Sequence, residues 1–194
     1  KQFKGVTALR TMVPTVLGQT LTSDVKRQNS REQRDWDKEA FLTDITDRCG
    51  EEYRGIVESV LAWAKEKNLR IWWGKGRTTG SFYPMWDYNG KSYNSIGIWS
   101  NGTVEIQFQY LYKKISDLDP AWIKGLLIKF ENILDVQFPA DVRDNLPNRR
   151  PTVPVKALRD ERKMQGFLAI LDEIINLFES MCQRRNQIDP MGQL

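Results

Sequence analysis

The residues of this chain that best suit a binding function are cations lying close to aromatic side chains. Residues 70–86, RIWWGKGRTTGSFYPMW, interleave aromatics, cations and glycines, and a second cationic stretch begins at residue 149. Cations can neutralise phosphates, and an aromatic ring can stack on a base. We therefore predict one nucleic-acid-binding surface made of Trp72, Lys75, Arg77, Tyr83, Arg149 and Arg150.

The glycine-rich loop after residue 73 also has a simpler interpretation. Its sequence, GKGRTTGS, fits neither the G-x-x-x-x-G-K-[ST] nor the G-x-G-x-x-G phosphate loop, and a strand pattern follows it instead of a helix. The loop could serve only to join two strands, with Lys75 and Arg77 in solvent. Arg149 and Arg150 could likewise tie an extended segment to helix carboxylates.

Acidic residues on the predicted sheet suggest a weaker alternative, a metal-dependent nuclease. Asp87, Glu105 and Gln107 resemble a D…(D/E)-x-K set in which glutamine replaces the lysine. The chain has no histidine, which excludes imidazole-ligated zinc and histidine-activated nucleophiles. Its two cysteines, Cys49 and Cys182, do not have metal-ligand spacing. We expect a non-catalytic protein that needs no metal, cofactor or disulfide.

Charge and hydropathy bear on partners and location. The net charge of +4 favours an acidic partner such as nucleic acid. No apolar run approaches the roughly 20 residues of a membrane-spanning helix. The first ten residues also lack the apolar core of a secretory signal. These features predict a cytoplasmic protein that does not enter a membrane.

Composition along the chain divides it into three segments. Residues 1–35 are polar and weakly patterned, apart from a short possible helix interrupted at Pro14, and we interpret them as a linker or the tail of a preceding domain. Residues 36–183 carry the apolar periodicity of one α+β domain. Residues 184–194 form a polar C-terminal tail.

The periodicity predicts an antiparallel three- to four-stranded meander sheet, packed by N-terminal and C-terminal helices. An N-terminal helix is expected to begin at Trp36-Asp37, and a later one at Asp119-Pro120. The predicted strands are residues 69–73, 81–88, 91–99 and 103–112. The last of these, TVEIQFQYLY, alternates strictly between apolar and polar residues over most of its length.

Two-residue turns at Asn89-Gly90 and Asn101-Gly102 would fix the register of this sheet. They predict three pairs, which are Trp86 with Tyr93, Trp99 with Val104, and Tyr93 with Tyr110. One buried face of the sheet would then carry Trp86, Tyr93, Trp99 and Phe108.

Four stretches, WDKEAFL, RIWWGKGRTTGSFYPM, VEIQFQYL and RRPTVPV, resemble an uncharacterised prokaryotic domain. That domain is associated with restriction-endonuclease-like and other DNA-directed proteins, and the resemblance runs from about Trp36 to Ser180. It implies an accessory module that targets a DNA-processing or genome-defence protein to nucleic acid. The alternative is a protein-interaction or oligomerisation module that uses a sheet face or the N-terminal arm to contact a partner protein or a second copy.

Overall fold

A computed structural model describes residues 34–115, 118–146 and 148–188, except the side chains of 182 and 184–188. The predicted linker lies outside the described residues up to position 33, as do the possible helix around Pro14 and the final residues 189–194. The tail predicted from 184 begins within the last helix, whose backbone is described to Ile188.

Two helices precede the sheet, α1 (Lys38–Cys49) and α2 (Glu51–Glu66). The Asp37 carboxylate accepts a 2.8 Å hydrogen bond from the backbone N–H of Ala40, which caps the start of α1 as predicted. Gly50 joins the two helices at φ 107°, a conformation that favours glycine. The predicted N-terminal helices are therefore confirmed.

The described residues form one antiparallel sheet of six strands in the order β1-β2-β4-β5-β6, with β3 paired to the end of β2. The strands are β1 (Arg70–Trp73), β2 (Ser81–Tyr88), β3 (Lys91–Tyr93), β4 (Ile96–Trp99), β5 (Thr103–Ile106) and β6 (Thr152–Pro154). The α+β class is confirmed, although the sheet has more strands than the predicted three to four. Strand β6 was predicted only as an extended segment.

Four helices follow β5 in the described chain, together with a short 3-10 helix. They are α3 (Phe108–Lys114), α4 (Pro120–Leu134), α5 (Ala140–Asp144), the 3-10 helix (Val155–Leu158) and α6 (Glu161–Ile188). Asp119 caps α4 with a 2.8 Å bond from the N–H of Ala121, as its Asp-Pro start predicts. No helix among the described residues is both long and apolar enough to cross a membrane.

The fourth predicted strand is wrong after Ile106, because the chain turns there into α3. Its apolar residues satisfy helical spacing as well as alternation. Phe108 and Leu111 are buried on one face of α3, and the Phe108 ring packs 6.3 Å from that of Phe130 in α4. The apolar contact between Phe108 and α4 favours the helix over the strand in this segment. That contact is between residues distant in the chain, so the local sequence does not show it.

The two hairpin predictions have different outcomes. Asn89 and Gly90 have φ 46° and 71° and form the predicted two-residue turn, so Trp86 pairs with Tyr93. At the second hairpin Trp99 pairs with Thr103, which makes a three-residue turn and shows that the predicted Trp99–Val104 pair is wrong. The predicted Tyr93–Tyr110 pair is also wrong, because Tyr110 belongs to α3.

A break at Asn94-Ser95, between β3 and β4, changes which side chains face the core. Ile98 aligns with Phe82 and Val104, and these three are buried on the face that packs against helices. Trp99 therefore lies on the opposite face from Trp86 and Tyr93, and Phe108 lies in α3, so the predicted buried face is wrong for Trp99 and Phe108.

Candidate nucleic-acid interface

A groove of about 410 Å³ lies on the sheet face that carries Trp72 and Tyr83. These residues are cross-strand partners in β1 and β2, with ring centroids 5.3 Å apart. Trp72 is 44% exposed, unusually open for a tryptophan, whereas Tyr83 is half-buried. The residues that line the groove are Arg70, Trp72, Tyr83, Met85, Ser92, Asn94, Gln107, Tyr110, Lys114 and Arg150.

Tyr83 forms part of the groove because its neighbour in β4 has no side chain. A Cβ on Gly97 would lie 2.5 Å from Cε1 of Tyr83, so the ring occupies the space that a larger residue would fill. Trp99 meets the same ring edge-on, at a centroid distance of 6.5 Å. Burial raises the pKa of the Tyr83 phenol above its usual value.

Among the described residues that line the groove, three are cations and none is a carboxylate. Arg70 makes a two-pronged contact with Asp87, at 2.7 and 2.9 Å. The hydrogen bonds from Arg70 and then Ser92 lower the pKa of Asp87. Lys114 donates to the carbonyl of Ser92. The lining thus carries three cations, of which Arg70 is paired with Asp87, a carboxylate that is itself about half exposed.

Arg150 and Gln107 meet the same carboxylate. Arg150 Nη1 lies 2.9 Å from Glu105 Oε1, and Gln107 Nε2 donates to that oxygen at 2.8 Å. Glu105 and Asp87, the carboxylates of the nuclease alternative, are thus each paired with an arginine. In the described part of the chain, no three His, Cys, Asp or Glu side chains form a group that could hold a metal ion.

The glycine-rich loop is fixed by Arg48 of α1 and by Trp36, which precedes that helix. Trp36 Nε1 donates to the carbonyl of Gly76 at 2.5 Å, and Arg48 Nη2 donates to that of Thr78 at 2.5 Å. Lys75 and Arg77 are exposed on this loop and do not line the groove. These two contacts therefore hold the loop in place, in line with its interpretation as a connection between strands.

The two adjacent arginines diverge. Arg149 lies 3.4 Å from Asp141 in α5, whereas Arg150 lines the groove. Of the six residues predicted from the sequence, the structure brings Trp72, Tyr83 and Arg150 to one groove; it does not bring Lys75, Arg77 or Arg149 there.

The lining residues that were not predicted as part of the binding surface include Arg70, Tyr110 and Lys114. Strand alternation contained the signal for Arg70, which lies two positions before Trp72 and therefore on the same face. Tyr110 and Lys114 reach the groove from α3, whose first residues were predicted as the end of the strand 103–112.

The chain matches no known protein-family model, no curated protein and no solved structure. The resemblance to a domain of DNA-directed proteins therefore stays a prediction.

Proposed function

We propose that this chain is a non-catalytic nucleic-acid-binding module that holds an unpaired strand in the groove beside Trp72. The observation that supports this most strongly is the placement of an exposed tryptophan and Tyr83 among three cations in one groove. Aromatic faces bind bases of any sequence by stacking, while cations bind the phosphates between them. The role in a DNA-processing or genome-defence protein rests on the sequence resemblance.

A single strand suits the groove better than a duplex. Stacking on Trp72 requires a base face that its neighbours have left free, which duplex DNA offers only after unstacking at an energetic cost. The groove is large enough for one base and its sugar, not for a double helix. Arg70, Lys114 and Arg150 also line the groove, and in this proposal they bind the backbone phosphates.

The direct test measures binding of a labelled single strand and of its duplex at two salt concentrations. We expect the single strand to bind more tightly, and the affinity to fall with salt by a slope of about 0.7 per phosphate contact. Trp72→Ala should weaken binding by roughly fivefold to a hundredfold, the range expected for loss of one stacked base. Tyr112→Ala removes an exposed aromatic of α3 outside the groove and should bind normally.

The adjacent arginines provide a matched charge control. Arg150→Gln should lower both the affinity and the salt slope, because Arg150 lines the groove. Arg149→Gln changes the net charge equally but lies outside the groove and should leave both nearly unchanged. Equal effects of the two substitutions, or no binding by the wild-type protein at low salt, would overturn the proposal.

A second candidate function, peptide binding, is favoured by a different groove. β1 is the edge strand of the described sheet, and a groove of about 750 Å³ beside it is lined by apolar groups including Leu61 and Ile71. Lys38, Lys65 and Arg70 line it against a single carboxylate, Glu58. An extended acidic segment of a partner protein would add a strand to β1 and meet these cations.

A pair of designed peptides separates this candidate from the first. An alternating Glu-Val peptide should bind, and an alternating Lys-Val peptide should not, because only the first complements the cations of the groove. Leu61→Glu should abolish that binding without affecting oligonucleotides. Equal binding of the two peptides would contradict the peptide candidate.

A further inference from the structure

Gln107 occupies a fixed position at the junction of β5 and α3. Its backbone N–H donates to the carbonyl of Ser95 at 2.8 Å, and its carbonyl accepts from the N–H groups of Tyr110 and Leu111 at 3.0 and 3.1 Å. The residue lines the groove and yet is only 1% exposed. Its backbone is therefore held in place from both directions along the chain.

Glu105 determines which way the Gln107 amide points. A carboxylate can only accept hydrogen bonds, so the amide must turn its NH₂ group toward Glu105, where the distance is 2.8 Å. Arg150 holds that carboxylate from a second direction at 2.9 Å. The acceptor end of the amide, Oε1, is consequently directed away from Glu105.

Oε1 of Gln107 is buried and has no hydrogen-bond partner. Buried acceptors are normally satisfied, and one that stays unpaired at a groove is a candidate contact for a ligand. Two exposed side chains, Tyr110 and Arg150, border the same groove. Because Oε1 is fully covered, a ligand can contact it only if a neighbouring side chain moves aside.

We infer that Gln107 reads the base held in the groove by accepting a hydrogen bond from its exocyclic amino group. This inference rests on the proposed function. Cytosine, adenine and guanine present such an amino group when unpaired. Uracil and thymine have no exocyclic amino group, and two carbonyl oxygens flank their one ring N–H. Their pairing edge would therefore bring a carbonyl oxygen of the base close to Oε1 of Gln107, and two acceptors repel each other. The groove should therefore discriminate against uracil and thymine.

The experiment compares oligo(dC) with oligo(dU), two unpaired homopolymers of equal length. The rings have the same size and neither carries a methyl group, so stacking on Trp72 and phosphate contacts contribute almost equally. We expect the wild-type protein to bind oligo(dC) more tightly by about threefold to tenfold, the value of one hydrogen bond. Oligo(dA) against its analogue without the 6-amino group should show the same preference.

Substitution of Gln107 then assigns the preference to this side chain. Gln107→Met preserves the length of the side chain and removes both the NH₂ group and the carbonyl oxygen of the amide, so the affinities for oligo(dC) and oligo(dU) should become equal. Gln109→Met changes the neighbouring glutamine of α3, which does not line the groove, and should keep the preference. Thermal unfolding of both variants shows whether each is folded.

The outcomes separate this inference from the proposed function. Wild-type protein that binds oligo(dC) and oligo(dU) equally well would overturn the inference while the proposed function stands. A preference that persists in folded Gln107→Met would overturn it as well. Absence of binding to every homopolymer at low salt would overturn the proposed function and the inference with it. The wild-type comparison needs no variant, so poor folding of Gln107→Met leaves the inference testable.

Discussion

The ring of Tyr83 lies against the backbone of Gly97, so close that a Cβ on Gly97 would come within 2.5 Å of Tyr83 Cε1. Gly97→Ala should therefore displace the ring from the groove and destabilise the fold by about 1–3 kcal/mol. Urea unfolding measures the loss of stability, and oligonucleotide titration measures the accompanying loss of affinity.

Gly125→Ala is the control for the Gly97 substitution. Gly125 lies in α4, and a Cβ there would meet nothing within 4 Å. Alanine should raise the free energy of unfolding by roughly 0.5–1 kcal/mol, because it favours the helix over the unfolded chain. Destabilisation of equal size at both positions would show that the Tyr83 contact is not the cause.

Ser100 links the glycine-rich loop to α1. Its hydroxyl accepts from the N–H of Gly80 at 2.8 Å and donates to Asp44 at 2.5 Å, and the residue is fully buried. Ser100→Ala leaves that N–H without this partner and should lower the free energy of unfolding by about 1–3 kcal/mol. Affinity for a single strand should change little, because Lys75 and Arg77 on this loop do not line the groove.

Ser59→Ala provides the comparison for Ser100. Ser59 is exposed on α2 and its hydroxyl bonds to the carbonyl of Gly55 in the same helix. Its loss should change the free energy of unfolding by less than about 0.5 kcal/mol. If folded Ser100→Ala loses most of its oligonucleotide affinity, the glycine-rich loop takes part in binding.

Several structural features that depend on residues close together in the chain were predicted correctly from the sequence. The cap at Asp37 and the turn at Asn89-Gly90 involve groups within a few positions of each other, so their residue types determine the local geometry. The α+β class follows from many such local signals together. The placement of Trp72 beside Tyr83 was accessible as well, since both lie in strands that pattern alone identified.

Features that depend on distant contacts were not predictable. The turn into α3 at Gln107 depends on burial of Phe108 against Phe130, and β6 joins the sheet by pairing with β5 from a segment about 50 positions later. Because α3 and β6 were not predicted, the groove residues in and beside them were not brought together by the prediction either. Arg150 precedes β6 while Lys114 lies in α3, so the cations of the site come together only through tertiary structure.

The Arg70–Asp87 pair should contribute to stability in a pH-dependent way. Hydrogen bonds from Arg70 and Ser92 lower the pKa of Asp87, so the unfolded chain takes up its proton first as the pH falls. The pair therefore stabilises the fold above about pH 4, the pKa of an aspartate in an unfolded chain. This stabilisation is lost as the pH falls through the lower pKa that Asp87 has in the folded protein. Its size is limited because both side chains are about half exposed.

Asp87→Asn should remove this part of the acid dependence. Urea unfolding between neutral and acidic pH should show a shallower decline in the free energy of unfolding than in the wild type. Asp47→Asn, an exposed carboxylate of α1 outside this network, serves as the matched substitution. An acid decline in Asp87→Asn as steep as in the wild type would rule out this origin.

Tyr83 should lose its proton only in strongly alkaline solution. Burial raises its pKa, so the folded protein keeps the phenol neutral at a pH where an unfolded tyrosine, with a pKa of about 10, is already ionised. The unfolded chain then binds fewer protons than the folded one, and the free energy of unfolding falls as the pH rises above about 10. Phenolate absorbance during alkaline titration should show a transition at a pH above that of ordinary tyrosines, and this transition should disappear in Tyr83→Phe.

The same variant tests how Tyr83 contributes to binding. Because phenylalanine keeps the aromatic face of the groove, Tyr83→Phe should still bind a single strand. Loss of binding would show that the Tyr83 hydroxyl itself contacts the ligand.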